Sequence, residues 1–283
     1  MKTLIFGENG LLGLELSKML KEASHEILAY NLSDVDIRSE LVAKSIIMED
    51  DFDLLIYAKG YEDIYAAEEN EKIAREINAL GAKNLAEICK DKGVPMIYIS
   101  TPYVFDGNKT VPYTPEDEPN PLNAYGRSKL EGENVIRETL DNHYIIRTGK
   151  LFGVMKPNFV DDIVTKAKQG QSFKAFRDMR YTPTWTFTLA KTIERLIDTT
   201  KLKINYGIYH CTNSGSCSDY DFILEVISTL KLSNKINMLK LSEVRQKVKL
   251  PENCVLDSSK APGIRIHWDD ALHNYLKLKG YTD

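Results

Sequence analysis

Short apolar runs alternate with stretches of helical spacing through the first half of the chain. Lys2-Thr3-Leu4-Ile5-Phe6 ends at a glycine and predicts a buried strand. Leu11, Leu12, Leu16, Met19 and Leu20 then recur on one helix face. Further strands are predicted at 26–30, 53–57, 96–100 and 144–147. Ile73, Ile77 and Leu80 predict one face of an intervening helix, and Leu85 and Ile88 extend it. Strands alternating with helices predict right-handed βαβ units: an α/β fold with a Rossmann-type, doubly wound parallel sheet.

Five of the ten prolines fall between Pro102 and Pro121, so residues 102–122 are expected to be mostly extended loop. That loop leaves the C-terminal end of a strand, where open α/β sheets place their ligands. After Gly149 the pattern is less regular. Helices are expected near 160–169, 186–198, 219–231 and 268–278, with a short strand at 208–211.

Three motifs carry chemistry. Gly7-x-x-Gly10-x-x-Gly13 follows a strand and opens a helix, so backbone N–H groups and the helix dipole would face a pyrophosphate. Ser100-Thr101 places a hydroxyl at the end of a later strand. Tyr125 and Lys129 share a helix face four residues apart. A neighbouring ammonium is expected to lower the phenol pKa and make Tyr125 a proton donor. In this order the three suggest nicotinamide redox chemistry. The alternatives are a plain turn, a strand-end Thr bonding its own backbone, and a solvated lysine beside Glu133. No acidic residue closes the second strand, where Tyr30 and Asn31 stand, so NAD and NADP both stay open.

The 283 residues suit about two domains, and 43% hydrophobic content supplies a core. A formal net charge of −4 gives no reason to expect nucleic acid or anionic lipid as a partner. The cysteines at 89, 211, 217 and 254 form no Cys-x-x-Cys pair and the five histidines are scattered, so no metal site is read and the thiols are expected to be reduced. No signal peptide or membrane span is read, and a cytoplasmic protein is expected.

The chain resembles the extended short-chain dehydrogenases/reductases, above all the dTDP-4-dehydrorhamnose reductases. The resemblance rests on the glycine motif, Asp36-Ile37, Asn78-x-x-Gly81-x-x-Asn84-Leu85-Ala86, Ile99-Ser100-Thr101-x-Tyr103-Val104-Phe105-Asp106-Gly107, and the stretch from Pro121 to Glu133 around Tyr125 and Lys129. Arg147-Thr148, Leu151-Phe152-Gly153, Asn158-Phe159-Val160, Pro183-Thr184, Gly207-x-Tyr209-His210 and Leu256-Asp257-Ser258-Ser259-Lys260 continue it. It implies Thr101, Tyr125 and Lys129 as a catalytic triad. It implies Gly7, Asn9, Gly10, Leu11, Leu12, Asp36, Ile37, Ala58 and Lys59 at the cofactor, with Tyr125 and Lys129. It implies Thr101, Tyr103, Lys150, Asn158 and Arg180 at the substrate. Members reduce the C4 ketone of a dTDP-6-deoxy-hexulose with NADPH or NADH; they often pair as homodimers, and some hold a magnesium ion.

By the same resemblance, residues 1–148 are an NAD(P)-binding domain, rejoined by about 176–206. Residues 149–175 and 207–283 are a smaller α/β substrate lobe. The chain departs from the family pattern at Pro102, at Tyr57-Ala58-Lys59-Gly60, at Lys150 where a Trp is usual, and at Asp178-Met179-Arg180-Tyr181-Thr182. Lys59, Lys150 and Arg180 either face solvent or add positive charge for an anionic ligand group. Two other readings share the scaffold: a cofactor-binding regulatory module similar to the β subunit of methionine adenosyltransferase, and a sugar-nucleotide epimerase/reductase.

Overall fold

β1 (Lys2–Phe6) runs into a turn at Gly7 and then α1 (Leu11–Glu22), as the apolar run and its glycine predict. The chain continues through β2 (Glu26–Tyr30), α2 (Glu40–Ile47), β3 (Leu54–Tyr57), α3 (Ile64–Glu69), α4 (Glu71–Arg75), α5 (Gly81–Lys92), β4 (Met96–Ser100), α6 (Ala124–Thr139) and β5 (His143–Arg147). The second half holds β6 (Lys150–Phe152), α7 (Phe159–Lys168), β7 (Phe173–Phe176), β8 (Arg180–Tyr181), β9 (Pro183–Trp185) and α8 (Thr186–Ile197). It ends with β10 (Gly207–His210), β11 (Cys217–Ser218), α9 (Asp219–Thr229), β12 (Ile236–Leu239), β13 (Asn253–Cys254) and α10 (Trp268–Leu278). This computed structural model describes residues 1–198, 204–244, 247–263 and 265–282.

Six strands form one sheet in the order β2-β1-β3-β4-β5-β10, and every pairing is parallel. Ala43 and Ile47 of α2, Leu85 and Ile88 of α5 and Ile136 of α6 pack on one face. Leu16 and Leu20 of α1 with Leu189 and Ile193 of α8 pack on the other. A parallel sheet buried on both sides explains the continuous apolar runs at 4–6 and 54–57. The chain steps outward from β1 to β2 and then back across to β3. A crevice therefore opens at the C-terminal ends of β1 and β3, the place where such sheets hold ligands.

The sequence assigns the short strand expected at 208–211 to the substrate lobe, and the structure corrects this. Gly207–His210 pairs with Tyr144–Arg147 as the edge of the central sheet. Conversely, Phe173–Phe176 pairs with Ile236–Leu239 in a separate two-stranded sheet, so the chain rejoins the central layers at α8 and not at 176. The rest of the second half gathers around an aromatic core that includes Phe152, Phe222, Trp268 and Tyr275.

A second expectation fails at Ile73, Ile77 and Leu80. Ile77 is buried, but Ile73 and Leu80 are 39% and 42% exposed. Residues Glu76–Leu80 form a π-helical turn between α4 and α5. The wider turn shifts the phase of the helix, so positions at 3.6 spacing no longer share one face. Residues 102–122 make a single 3₁₀ turn at Pro102–Val104 and then extend, as the prolines predict. The Phe105 ring stacks on Tyr113 at 4.2 Å, and the Tyr113 N–H donates to the Val255 carbonyl. These contacts pin the loop across the lobe.

Candidate active site

The glycine turn is shaped by close approach. Gly7 has φ +91°, and a Cβ there would lie 2.4 Å from Lys59 Cβ. A Cβ on Gly13 would lie 2.3 Å from the Gly7 carbonyl oxygen. Gly10 is the N-cap of α1 and no side chain caps that end. The first turn of α1 therefore opens uncapped onto a cleft of about 380 Å³, with Gly10, Leu11, Leu12, Ala58 and Lys59 in its wall. Gly7 and Asn9 line an adjoining hollow with Asn31 and Ser33, beyond the end of β2.

Thr101, Tyr125 and Lys129 converge at the far end of this cleft. Thr101 follows β4 directly. Asn123 caps α6 by accepting from the Gly126 N–H at 2.9 Å, which fixes the helix start two residues before Tyr125. Lys129 is 4% exposed; its ammonium donates to the Ile99 carbonyl at 2.6 Å and lies 3.9 Å from the Tyr98 ring centroid. Burial lowers its pKa to about 8, against the pull of Glu62 and Glu133.

The expected lowering of the Tyr125 pKa does not hold in this structure. Burial pushes the phenol up, the Glu62 carboxylate pushes it further, and a hydrogen bond with Thr101 acts the other way. Tyr125 thus stays a protonated phenol, ready to donate. A second cleft of about 370 Å³ meets the first at Glu62, Thr101, Tyr125 and Gly149. Tyr103 lies in its wall with its ring edge-on to Tyr125, centroids 5.8 Å apart. Lys150 lines the same cleft, but its ammonium is 3.8 Å from Asp219 and 4.4 Å from the Phe159 centroid. Its charge is therefore partly matched by protein before any ligand arrives.

Several expected residues already have partners within the protein. Asn158 caps α7, and its carboxamide donates to the Gly153 and Lys156 carbonyls and to Tyr275 Oη. Arg180 donates to Ser216 and lines a separate hollow with Lys109 and Asn253. Asp36 forms a two-pronged ion pair with Arg38. Ile37 is fully buried, and Asn84 Nδ2 donates to its carbonyl at 2.8 Å.

Three residues of the site escaped the sequence reading. Glu62 lines both clefts, and its nearest clue is the unusual Lys59-Gly60 beside it. Lys156 reaches from the lobe to the Asn9 carbonyl at 2.9 Å and lines the first cleft. Asn78, on the π-helical turn, accepts from the Tyr61 N–H and donates to the Tyr61 carbonyl and Ser128 Oγ. It ties the 60–62 loop to α6, and only its motif was noted in sequence.

The uncapped helix start and the glycines too crowded for a Cβ fit a dinucleotide pyrophosphate, with Gly10, Leu11 and Leu12 around it. Among the described residues, no group of three or more His, Cys, Asp or Glu could hold a metal ion. No helix there is long and apolar enough to cross a membrane.

Comparisons place this geometry among known proteins. The family model described as RmlD substrate binding domain matches residues 1–279. The spore coat polysaccharide biosynthesis protein SpsK of Bacillus subtilis is 32% identical over 279 residues, covering 98% of this chain and 97% of that protein. The crystal structure of a dTDP-4-dehydrorhamnose reductase from Clostridium acetobutylicum superposes with a TM-score of 0.93 at 34% identity, covering 99% of this chain and 100% of the other. That of a dTDP-4-dehydrorhamnose reductase from Bacillus anthracis in complex with NADP has a TM-score of 0.91 at 27% identity, covering 98% and 99%. With the cradle, the Thr–Tyr–Lys group and the two meeting clefts all in place, the chain belongs to the RmlD substrate-binding domain family of extended short-chain dehydrogenases/reductases.

Proposed function

We propose that this protein is an NAD(P)H-dependent oxidoreductase that reduces the C4 ketone of a nucleotide-activated deoxy-sugar, with dTDP-4-dehydro-L-rhamnose as substrate and dTDP-L-rhamnose as product. The observation that carries this reading is the junction of the two clefts at Thr101 and Tyr125. One cleft has the shape for a dinucleotide, and the other leaves room for a sugar whose carbonyl meets the phenol.

When bound, the nicotinamide supplies hydride to the carbonyl carbon. The remaining work falls to side chains. The Thr101 hydroxyl orients the ketone oxygen and shares its hydrogen bonding with Tyr125. Tyr125 Oη delivers a proton to that oxygen as charge develops on it. Lys129, already anchored on the Ile99 carbonyl, stabilises the phenolate left behind and holds the cofactor ribose. Tyr103 and Lys150 shape the sugar-nucleotide side, and Lys59 lies along the phosphate turn. A homodimer and a cytoplasmic setting belong to the same reading; sedimentation of the purified protein and cell fractionation test them.

The direct test is loss of NADPH and NADH absorbance with enzymatically made dTDP-4-dehydro-L-rhamnose, with Tyr125→Phe alongside. The expected result is oxidation by the native protein and a turnover lower by about two to four orders of magnitude in the variant, with cofactor affinity kept. Cofactor binding without oxidation of any nucleotide 4-keto-sugar would overturn the reading.

A further inference from the structure

Thr101 and Tyr125 stand where the second cleft meets the first. A sugar whose ketone reaches them must trail its nucleotide along the rest of the second cleft. The walls of that remainder come from two parts of the chain. Ile64 and Tyr65 belong to α3, and Phe176, Met179 and Leu250 belong to the lobe. Charged side chains are few there: Glu62, Lys150 and Asp219, of which the last two lie 3.8 Å apart.

Tyr65 is the unusual member of this wall. It is 54% exposed. Two other aromatic side chains among the described residues are exposed, Phe187 and Tyr206, and each leans on a second ring. Phe187 lies 5.0 Å from Trp185, and Tyr206 lies 4.9 Å from Tyr144, between centroids. Among the described residues the Tyr65 ring pairs with no other ring and its hydroxyl holds no hydrogen bond. Its backbone is nonetheless fixed. Asp63 caps α3 by accepting from the Tyr65 and Ala66 N–H groups, each at 2.9 Å. Glu68, three residues on, accepts from the Ala124 N–H at 2.8 Å, which ties α3 to the start of α6, the helix that carries Tyr125.

We propose that Tyr65 is the stacking surface for the base of the nucleotide-sugar. For the kind of ligand this rests on the reductase reading above. A base is a flat π-system that gains by lying on an aromatic face. With the ketone at Tyr125, the base is the far end of the substrate, and Tyr65 is the exposed aromatic ring in the described wall of that cleft. A ring left bare on a rigid support keeps its face for the ligand and loses little freedom when the ligand arrives. The stack holds the nucleotide without touching the reacting carbon. It therefore sets how tightly substrate binds and not how fast the bound complex reacts.

The test compares native protein with Tyr65→Ala and Tyr65→Phe. The ring is exposed and pairs with no other, so both variants should fold as the native chain does. The first readout is calorimetric titration with dTDP in saturating NADP+, which fills the first cleft and leaves the second to the nucleotide. Tyr65→Ala should weaken dTDP binding about tenfold, the scale of one lost base–aromatic stack. Tyr65→Phe keeps the ring and should stay near native. NADPH affinity should be the same in all three proteins, because Tyr65 does not line the first cleft. The second readout is steady-state kinetics with a nucleotide 4-keto-sugar, where Tyr65→Ala should raise KM by the same factor and leave kcat unchanged. Equal dTDP affinity in native protein and Tyr65→Ala overturns the proposal, as does Tyr65→Phe falling with Tyr65→Ala, a fall in kcat at unchanged KM, or native protein that binds no dTDP. Native protein that loses dTDP affinity on Tyr65→Ala but reduces no nucleotide 4-keto-sugar defeats the reductase reading and leaves the stack standing.

Discussion

Lys156 of the lobe donates to the carbonyl of Asn9 in the glycine turn, 2.9 Å away and 147 positions back in the chain. This contact joins the two halves of the molecule across the mouth of the first cleft. The lysine lines that cleft together with Gly10 and Leu11. Lys156→Met should weaken NADPH binding roughly two- to fivefold, the range of an exposed charge contact, and reduce the dependence of affinity on salt. Turnover at saturating cofactor should change little. Titration by fluorescence at two salt concentrations checks both, and an unchanged affinity would mean that the lysine serves the protein alone.

Lys150 is held between Asp219 and the rings of Phe159 and Tyr181. On the sugar-nucleotide side it should affect substrate and not cofactor. Lys150→Met should raise KM for the nucleotide sugar about tenfold, in line with loss of a charge-assisted hydrogen bond, while NADPH affinity stays the same. Steady-state kinetics with each ligand varied in turn separates the two. A rise in the NADPH constant alone would move Lys150 to the other cleft.

Arg147 and Glu133 form a buried two-pronged ion pair, and Ser100 Oγ donates to the same carboxylate. The pair braces the end of β4, next to Thr101. Arg147→Met leaves a buried carboxylate without its partner and should cost about 3–5 kcal/mol of stability. The double variant Arg147→Met with Glu133→Met should lose less than the sum of the two single changes. Denaturant unfolding of all four proteins completes the cycle, and strict additivity would show that the two groups act independently.

His210 accepts its fold position through one hydrogen bond, Nδ1–H to the Tyr113 carbonyl at 3.0 Å. Burial, and then the Arg147 charge, lower its pKa from 6.5 to about 4. The unfolded chain therefore takes up a proton at a pH where the folded one does not. Stability from this group is complete above 6.5 and is lost as pH falls toward about 4, for a total of about 3 kcal/mol. His210→Gln should flatten that part of the stability curve. Urea midpoints at pH 7, 5.5 and 4.5 would show it, and parallel curves for both proteins would remove His210 as a source of acid sensitivity.

Much of the framework was readable in the chain because it is local. The run from Lys2 to Phe6 followed by Gly7 specifies a strand, a turn and a helix start through residues that are neighbours in sequence. Tyr125 and Lys129 share a face because one helical turn separates them. The two misreadings have different causes, one local and one long-range. Ile73 and Leu80 were assigned a buried face on the assumption of constant helical phase, and the π-helical turn at Glu76–Leu80 broke it. Gly207–His210 was sent to the lobe because four residues do not say which strand will pair with them.

What the sequence alone determined is the set of parts: parallel βαβ units, a phosphate turn, and a hydroxyl, phenol and ammonium in order. Periodicity and short-range spacing suffice for these, since backbone geometry repeats every few residues. Which charged groups meet follows from how distant segments pack. The tertiary structure placed Glu62 in the wall of the cleft that Tyr125 and Lys129 also line, set Lys156 on Asn9, and matched Lys150 with Asp219. It also drew Arg180 to a separate hollow and turned Asn158 into a helix cap. The reason is physical: a side chain's charge and hydrogen bonds depend on which surfaces lose water together. That is settled by packing between segments far apart in the chain.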